Sequence, residues 1–330
     1  MRVCMVSSHA CIRVFKQSST LTNLGFEVEQ VARQAPFGFN MFESMSLYFD
    51  REQLQRAVKM SKADIFHVHN EPDWMVEAVR EVTDRPIVFD AHDLDSLRRF
   101  PNVSDDEKSA FECADAFVHV SEPCREHAEK THGDKKPSIV LYSYMNEVFV
   151  KDVGDCSFSS VVYEGGLSEK SELTENTFNL RFYAPVVDEF IKQGFNFYIY
   201  PAAQTTQNLY EGLGAVVSQP LHYPHMLNAL KAFGYGLLGS IVSAPLMEAA
   251  MPNKLFEYMS QGVVPVILNA SEASKFATEH GIGITLDGTE NLKEQLKDGP
   301  KIRKQVLKKR HDFTMEKNIQ PLIDLYKGLL

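Results

Sequence analysis

Two kinds of block alternate along this chain: short continuous apolar runs, and longer segments in which apolar residues recur every three or four positions. Runs at residues 3–6, 27–32, 64–68, 86–89, 116–120 and 138–141 have the length and composition of buried strands. Between them, residues 51–62, 74–82, 107–113 and 123–130, and a segment closing at Gly25, carry helical spacing; Leu54, Ala57 and Val58, for example, share one face. Regular alternation of strand and helix predicts a parallel sheet covered on both faces. Residues 142–158 have no clear period and read as a linker. A second alternation follows, with strands at 160–163, 196–200, 235–240, 263–268 and 283–286, helices at 175–193 and 225–232, and a largely helical tail from 301 to 330.

The length of 330 residues exceeds one compact domain and suits two. The expected division is 1–150, 151–310 and a terminal helix over 311–330. No run of ~18 apolar residues suggests a membrane span, and the chain opens on a strand pattern rather than a leader, so a cytoplasmic protein without integral membrane contact is expected. Five cysteines without CxxC spacing predict free thiols and no zinc site. The formal charge of -10 disfavours a nonspecific grip on nucleic acid or anionic lipid. The densest basic run, residues 301–310, reads as a solvated helix face.

Chemistry concentrates where strands end, the place where an open α/β sheet binds its ligands. In the first half these positions hold Ser7, Ser8 and His9; His67, His69, Asn70 and Glu71; and Asp90, His92, Asp93 and Asp95. His67 reads as a core histidine. In the second half Gly165 and Gly166 follow a strand and leave room for backbone amides to approach a phosphate. The stretch from Met251 to Leu268 puts Pro252, Asn253 and Lys254 at the electropositive start of a helix, with Glu257 one turn on. Neither a GxGxxG fingerprint nor a Walker motif is present, and no GxSxG elbow.

The sequence PNKLFEYMSQGVVPVI in this stretch resembles the nucleotide-sugar site of the GT-B glycosyltransferases, in their large retaining group. The resemblance implies two Rossmann-like domains facing a cleft, with a C-terminal helix crossing back to the first. It implies a sugar transfer from a nucleoside diphosphate sugar to an acceptor hydroxyl, retaining and metal-independent, with no cofactor besides that donor. Glu257 would bind the donor ribose; Gly165, Gly166, Lys170, Asn253 and Lys254 would hold its diphosphate. VVYEGGLSEKSEL is similar to the family's glycine loop but has Ser171 where an arginine is usual. Ala249 stands where many members carry a first glutamate, and Glu248, one position earlier, is the candidate for that role. PIVFDAHDL is similar to a strand end whose histidine, here His92, contacts the transferred sugar. His9, Arg13, Lys16, His69 and Asp93 are the expected acceptor-side or cleft residues. The acceptor class stays open among a glycan, a lipid-linked sugar and a hydroxymethylated nucleobase. Two alternatives also stay open: a nucleotide-sugar epimerase or degenerate binding protein, and a metal-dependent hydrolase using His67, His69, Glu71, His92, Asp93 and Asp95.

Overall fold

The computed structural model describes residues 1–36, 38, 41–133, 135–168, 181–202 and 208–330. The chain forms two compact units, one made of Met1–Asn146 with Met315–Leu330 and the other of Glu147–Thr314.

The first unit contains a parallel sheet of strands β1 (Arg2–His9), β2 (Glu27–Gln34), β3 (Ser46–Leu47), β4 (Ile65–His69), β5 (Ile87–Ala91), β6 (Ala116–His119) and β7 (Ser138–Val140). Their spatial order is β3-β2-β1-β4-β5-β6-β7, so the winding reverses between β1 and β4. β4 and β5 are buried at every position, including the polar His67, His69 and Asp90. The connecting helices start on local capping chemistry. Asp50 accepts from the Gln53 amide at 2.8 Å, Ser104 from Glu107 at 3.2 Å and Ser121 from Cys124 at 3.1 Å. Met315, Ile319, Leu322 and Tyr326 of the tail are buried in the same core as Val3, Met5, Val14 and Val88. The terminal helix, Gln320–Leu329, is thereby part of the first unit, and its apolar face is the one the sequence pattern marks.

The second unit holds β8 (Ser157–Gly165), β9 (Asn196–Pro201), β10 (Val216–Val217), β11 (Phe233–Gly239), β12 (Val264–Leu268) and β13 (Ile284–Thr285), again parallel, in the order β10-β9-β8-β11-β12-β13. Here the reversal lies between β8 and β11. Gly239 ends β11 at φ +104°, and a Cβ there would stand 1.8 Å from the Leu268 carbonyl oxygen, so the close approach of β11 and β12 requires glycine.

Sequence and structure differ at several elements. The helix expected over 175–193 is described as Ala184–Lys192, with residues 169–180 outside the described part. Helices Asp95–Arg98, Pro245–Ala249 and Ser271–His280 are additions. The last of these has its signal in Ala273, Phe276 and Ala277, buried on one face, and in Gly281, which ends the helix at φ +63°. The basic run follows a helix, Gly299–Lys309, whose Lys301, Lys304 and Lys308 are exposed, but Arg310 is buried. Its Nη1 donates to the carbonyls of Lys151 at 2.8 Å and Ser260 at 3.0 Å, and Arg303 and Lys309 of the same run also donate to backbone carbonyls of the second unit.

Candidate functional site

In the second unit the carboxyl end of β8 meets the start of the helix Asn253–Ser260. Gly165 adopts φ +119°, and a Cβ on it would come within 2.8 Å of Lys254 Nζ. The lysine amine therefore rests in space that only glycine leaves free. It also lies 5.4 Å from the Tyr163 ring centroid, a cation-π distance. On the other side, a Cβ on Gly166 would stand 2.9 Å from Arg181 Nη1. Two cations thus flank the glycine pair. The second is Arg181, which the sequence pattern did not single out; the expected Lys170, like Ser171, lies outside the described residues.

Asn253 opens its helix without a side-chain cap, and no acidic residue occupies the first turn. The amides and positive end of the helix dipole are consequently not neutralised from within the helix. Glu257 is buried, and its Oε1 accepts from the Tyr223 hydroxyl at 2.7 Å. Tyrosines brace the loops around it. Tyr163 donates to Gly166 O at 2.6 Å, Tyr210 to Ser168 O at 2.7 Å and Tyr258 to Leu237 O at 3.0 Å, while Tyr183 donates to Gly239 O. Burial holds Tyr183, Tyr223 and Tyr258 well above the usual phenol range, so they remain neutral donors.

Glu248 is engaged by two serines. Ser243 donates to Oε1 at 2.7 Å, and the Ser271 amide donates to Oε2 at 3.2 Å, joined by the Ser271 hydroxyl. The Ser271 hydroxyl, followed by Ser243, holds the carboxyl below its ordinary range against a partial desolvation. Glu248 therefore braces the first turn of the helix Ser271–His280.

The first unit gathers its polar residues around Asp90, which is fully buried at the end of β5. Arg13 Nε donates to both carboxylate oxygens, at 2.9 and 3.1 Å, and Gln17 Nε2 donates to Oδ2 at 2.9 Å. Arg13 also reaches the Leu141 carbonyl at 3.0 Å, and Lys16 the Ser143 carbonyl at 3.2 Å. This corrects the placing of Arg13 and Lys16 as acceptor-side residues: both side chains are internal, tying the helix Ile12–Asn23 to β5 and to the chain after β7. Burial alone would raise the Asp90 carboxyl; Arg13, with the neighbouring histidines, outweighs it and holds the group well below the usual range.

His67 and His69 stack at 4.5 Å beside this carboxylate, both fully buried, and desolvation lowers both so that they are neutral at neutral pH. His67 Nδ1 lies 2.5 Å from the Tyr326 hydroxyl. His69, expected among the acceptor-side or cleft residues, is buried. His92 is the member nearest solvent, 15 % exposed, with Nδ1 3.1 Å from Asp90 Oδ1. His9 is exposed at the end of β1. The backbone amides of His92 and Asp93 both donate to Asn70 Oδ1, at 3.2 and 3.3 Å, and Asn70 Nδ2 donates to Asp93 O at 2.7 Å. Asn70 thus clamps the turn that carries His92.

A metal set of the expected composition does not assemble here. Glu71 and Asp93 pair with Arg98, and Asp95 with Arg99. Among the described residues the group that does come together is His67, His69 and Asp90, with candidate ligand atoms inside 4.8 Å. Its carboxylate is already charge-balanced by Arg13, and a divalent ion would add a second positive centre to a fully buried pocket.

Residues 15–143 match the family model Glycosyltransferase Family 4. No curated protein sequence matches the chain significantly. An alpha-glucosyltransferase solved with UDP and a 13-mer DNA containing an HMU base superposes with TM-score 0.71 at 13 % identity, covering 99 % of each chain. A sucrose-phosphate synthase from Thermosynechococcus elongatus gives TM-score 0.75 at 12 % identity over 100 % of this chain and 99 % of that one. A glycosyltransferase from Rickettsia africae ESF-5 gives 0.71 at 11 %, covering 99 % and 98 %. The chain has the GT-B fold. Its two parallel sheets correspond to the two Rossmann-like domains of GT-B proteins, and both sites described above lie at the carboxyl ends of strands in those sheets.

Proposed function

We propose that this GT-B protein is a hexosyltransferase that moves a sugar from a nucleoside diphosphate sugar to an acceptor hydroxyl, with retention and without a metal ion. One observation carries the reading: Lys254 and Arg181 flank the Gly165–Gly166 bend next to a helix start with no acid of its own. Such a place favours a diphosphate, and stabilising the leaving diphosphate is the main electrostatic task of the reaction. In this reading Gly165, Gly166, Asn253, Lys254 and Arg181 hold the diphosphate. Glu257, oriented by Tyr223, takes the ribose hydroxyls, and His92 faces the transferred sugar with Asp93 and His9 on the acceptor side. The solved alpha-glucosyltransferase with UDP supports a uridine nucleotide as the first donor to try. Its complex with HMU-containing DNA keeps a hydroxymethylated base among the acceptors, beside glycans and lipid-linked sugars.

The test is a thermal-shift series of the full chain with UDP, GDP, ADP, CMP and dTDP and their common sugars, each with and without chelator. One nucleotide family at ~100 times its dissociation constant should stabilise by about 2.7 kcal/mol, unchanged by chelator. A well-folded sample that responds to none of them rejects the donor site, and a response abolished by chelator rejects metal independence. Glu257→Ala should weaken nucleotide binding by ~2–4 kcal/mol, because a buried charged hydrogen bond is lost.

A further inference from the structure

The hydrogen bond between His92 and Asp90 carries information about the direction of a proton. A carboxylate only accepts, and Asp90 is held ionised by Arg13 and Gln17, so at 3.1 Å the Nδ1 of His92 must be the donor. A neutral imidazole with its proton on Nδ1 has a lone pair on Nε2, at the opposite ring edge. Among the described residues the hydrogen bonds of the His92 ring are confined to Nδ1. Its backbone is fixed independently by Asn70, whose amide oxygen receives the His92 and Asp93 amides. Rotation of the ring would leave Asp90 Oδ1, fully buried, with Arg13 alone of its two donors.

The remaining surroundings act in the same direction. Asp90 Oδ2 faces His67 Nε2 at 3.5 Å and His69 Nδ1 at 3.6 Å, while the hydroxyl of Tyr326 approaches His67 from its other nitrogen. The carboxylate thus accepts from Arg13 and Gln17 of the helix Ile12–Asn23, with the His67 and His69 rings of β4 packed beside it. It is fixed in place before any ligand arrives.

We infer that Asp90 is a positioning residue which locks His92 in the Nδ1–H tautomer, so that Nε2 meets the bound sugar as a hydrogen-bond acceptor for one of its hydroxyls. The sugar-facing half of this inference rests on the transferase reading; the tautomer does not. A sugar hydroxyl at that point would be selected over a group that cannot donate, such as an ether or a deoxy position.

Long-range 1H–15N correlation of the uniformly 15N-labelled full chain at pH 7.5 reads the tautomer directly, with the His92 signals identified by their loss in His92→Gln. A protonated Nδ1 and unprotonated Nε2 are expected. The Nε2–H tautomer, or an imidazolium with both nitrogens protonated, overturns the inference, and neither result depends on any donor sugar. In Asp90→Asn, if it folds, the His92 tautomer should no longer be fixed. Turnover should fall on the order of 10²-fold or more with nucleotide affinity changed less than threefold. Equal loss of nucleotide affinity and turnover would count against positioning. Wild-type chain that shows the expected tautomer but transfers no sugar rejects the transferase reading and the sugar contact, and leaves the proton assignment intact.

Discussion

The two units bury polar groups at the carboxyl ends of their sheets by opposite means. The first surrounds one carboxylate, Asp90, with a guanidinium, an amide and histidines, and places Lys16 nearby without exposure. The second uses phenols: Tyr163, Tyr183, Tyr210 and Tyr258 each donate to a backbone carbonyl, and the cations Lys254 and Arg181 stay at the edge of the glycine bend. A buried charge network is costly to interrupt, because any member removed leaves its partner uncompensated. A phenol that loses its carbonyl costs only an ordinary hydrogen bond. The first unit is thus built to hold one geometry, and the second sets two cations beside a glycine bend.

The largest effect should come from Arg13→Met, which leaves Asp90 buried without its cation. A loss of about 3–5 kcal/mol in chemical unfolding of the first unit is expected. A loss under 1 kcal/mol would mean that the carboxylate is solvated and the contrast between the units is wrong.

Asp73 sharpens the contrast from the other side, as a buried carboxyl in the first unit without such a cation. Burial, then Glu107 and Asp95, push it up to about 7 from an ordinary 3.8. A carboxyl raised in the folded state contributes stability below its unfolded value and loses it as pH rises through the folded one. Asp73→Asn should therefore be neutral near pH 4 and stabilising by about 2–4 kcal/mol at pH 8. Stability curves of both proteins across that range check it, and an equal difference at both ends would contradict it.

In the second unit Gly165→Ala would put a methyl into the space of the Lys254 amine and strain a φ of +119°. A stability loss of about 1–2 kcal/mol is expected, with weaker nucleotide binding in titration calorimetry. Full affinity in this variant would separate Lys254 from the ligand. The smallest effect belongs to Glu248→Gln, for which about 0.5–1 kcal/mol of stability should be lost at the helix start and turnover kept within twofold. A large drop in turnover at unchanged stability would return Glu248 to the sugar.

Legibility followed locality. Asn253, Lys254 and Glu257 sit within one helical turn and a half, so their joint meaning is visible in a short stretch. The strands were visible for the same reason, since burial on both faces makes most of their positions apolar. Asp90 was not visible as a centre. Its partners come from Arg13 and Gln17 on one helix, His67 and His69 on β4 and, behind them, Tyr326 near the end of the chain. Arg13 and Gln17 are four positions apart on one helix face, a hint of shared partners that spacing alone could not assign to burial. Tyr223 and Arg181 were missed likewise, each lying far along the chain from the residue it serves.

By itself the sequence determined the alternation of strand and helix, the parallel sheets that follow from it, and the glycine bend and helix start of the second unit. These depend on periodicity, capping and backbone freedom, all properties of neighbouring residues. Tertiary structure alone decided which charges are inside: that Arg13 and Lys16 are structural, that Glu248 braces a helix, and that His92 takes its proton direction from Asp90. The free energy of a charge depends on solvent exclusion and on partners brought together from distant parts of the chain, and neither exists until the sheets and helices have packed.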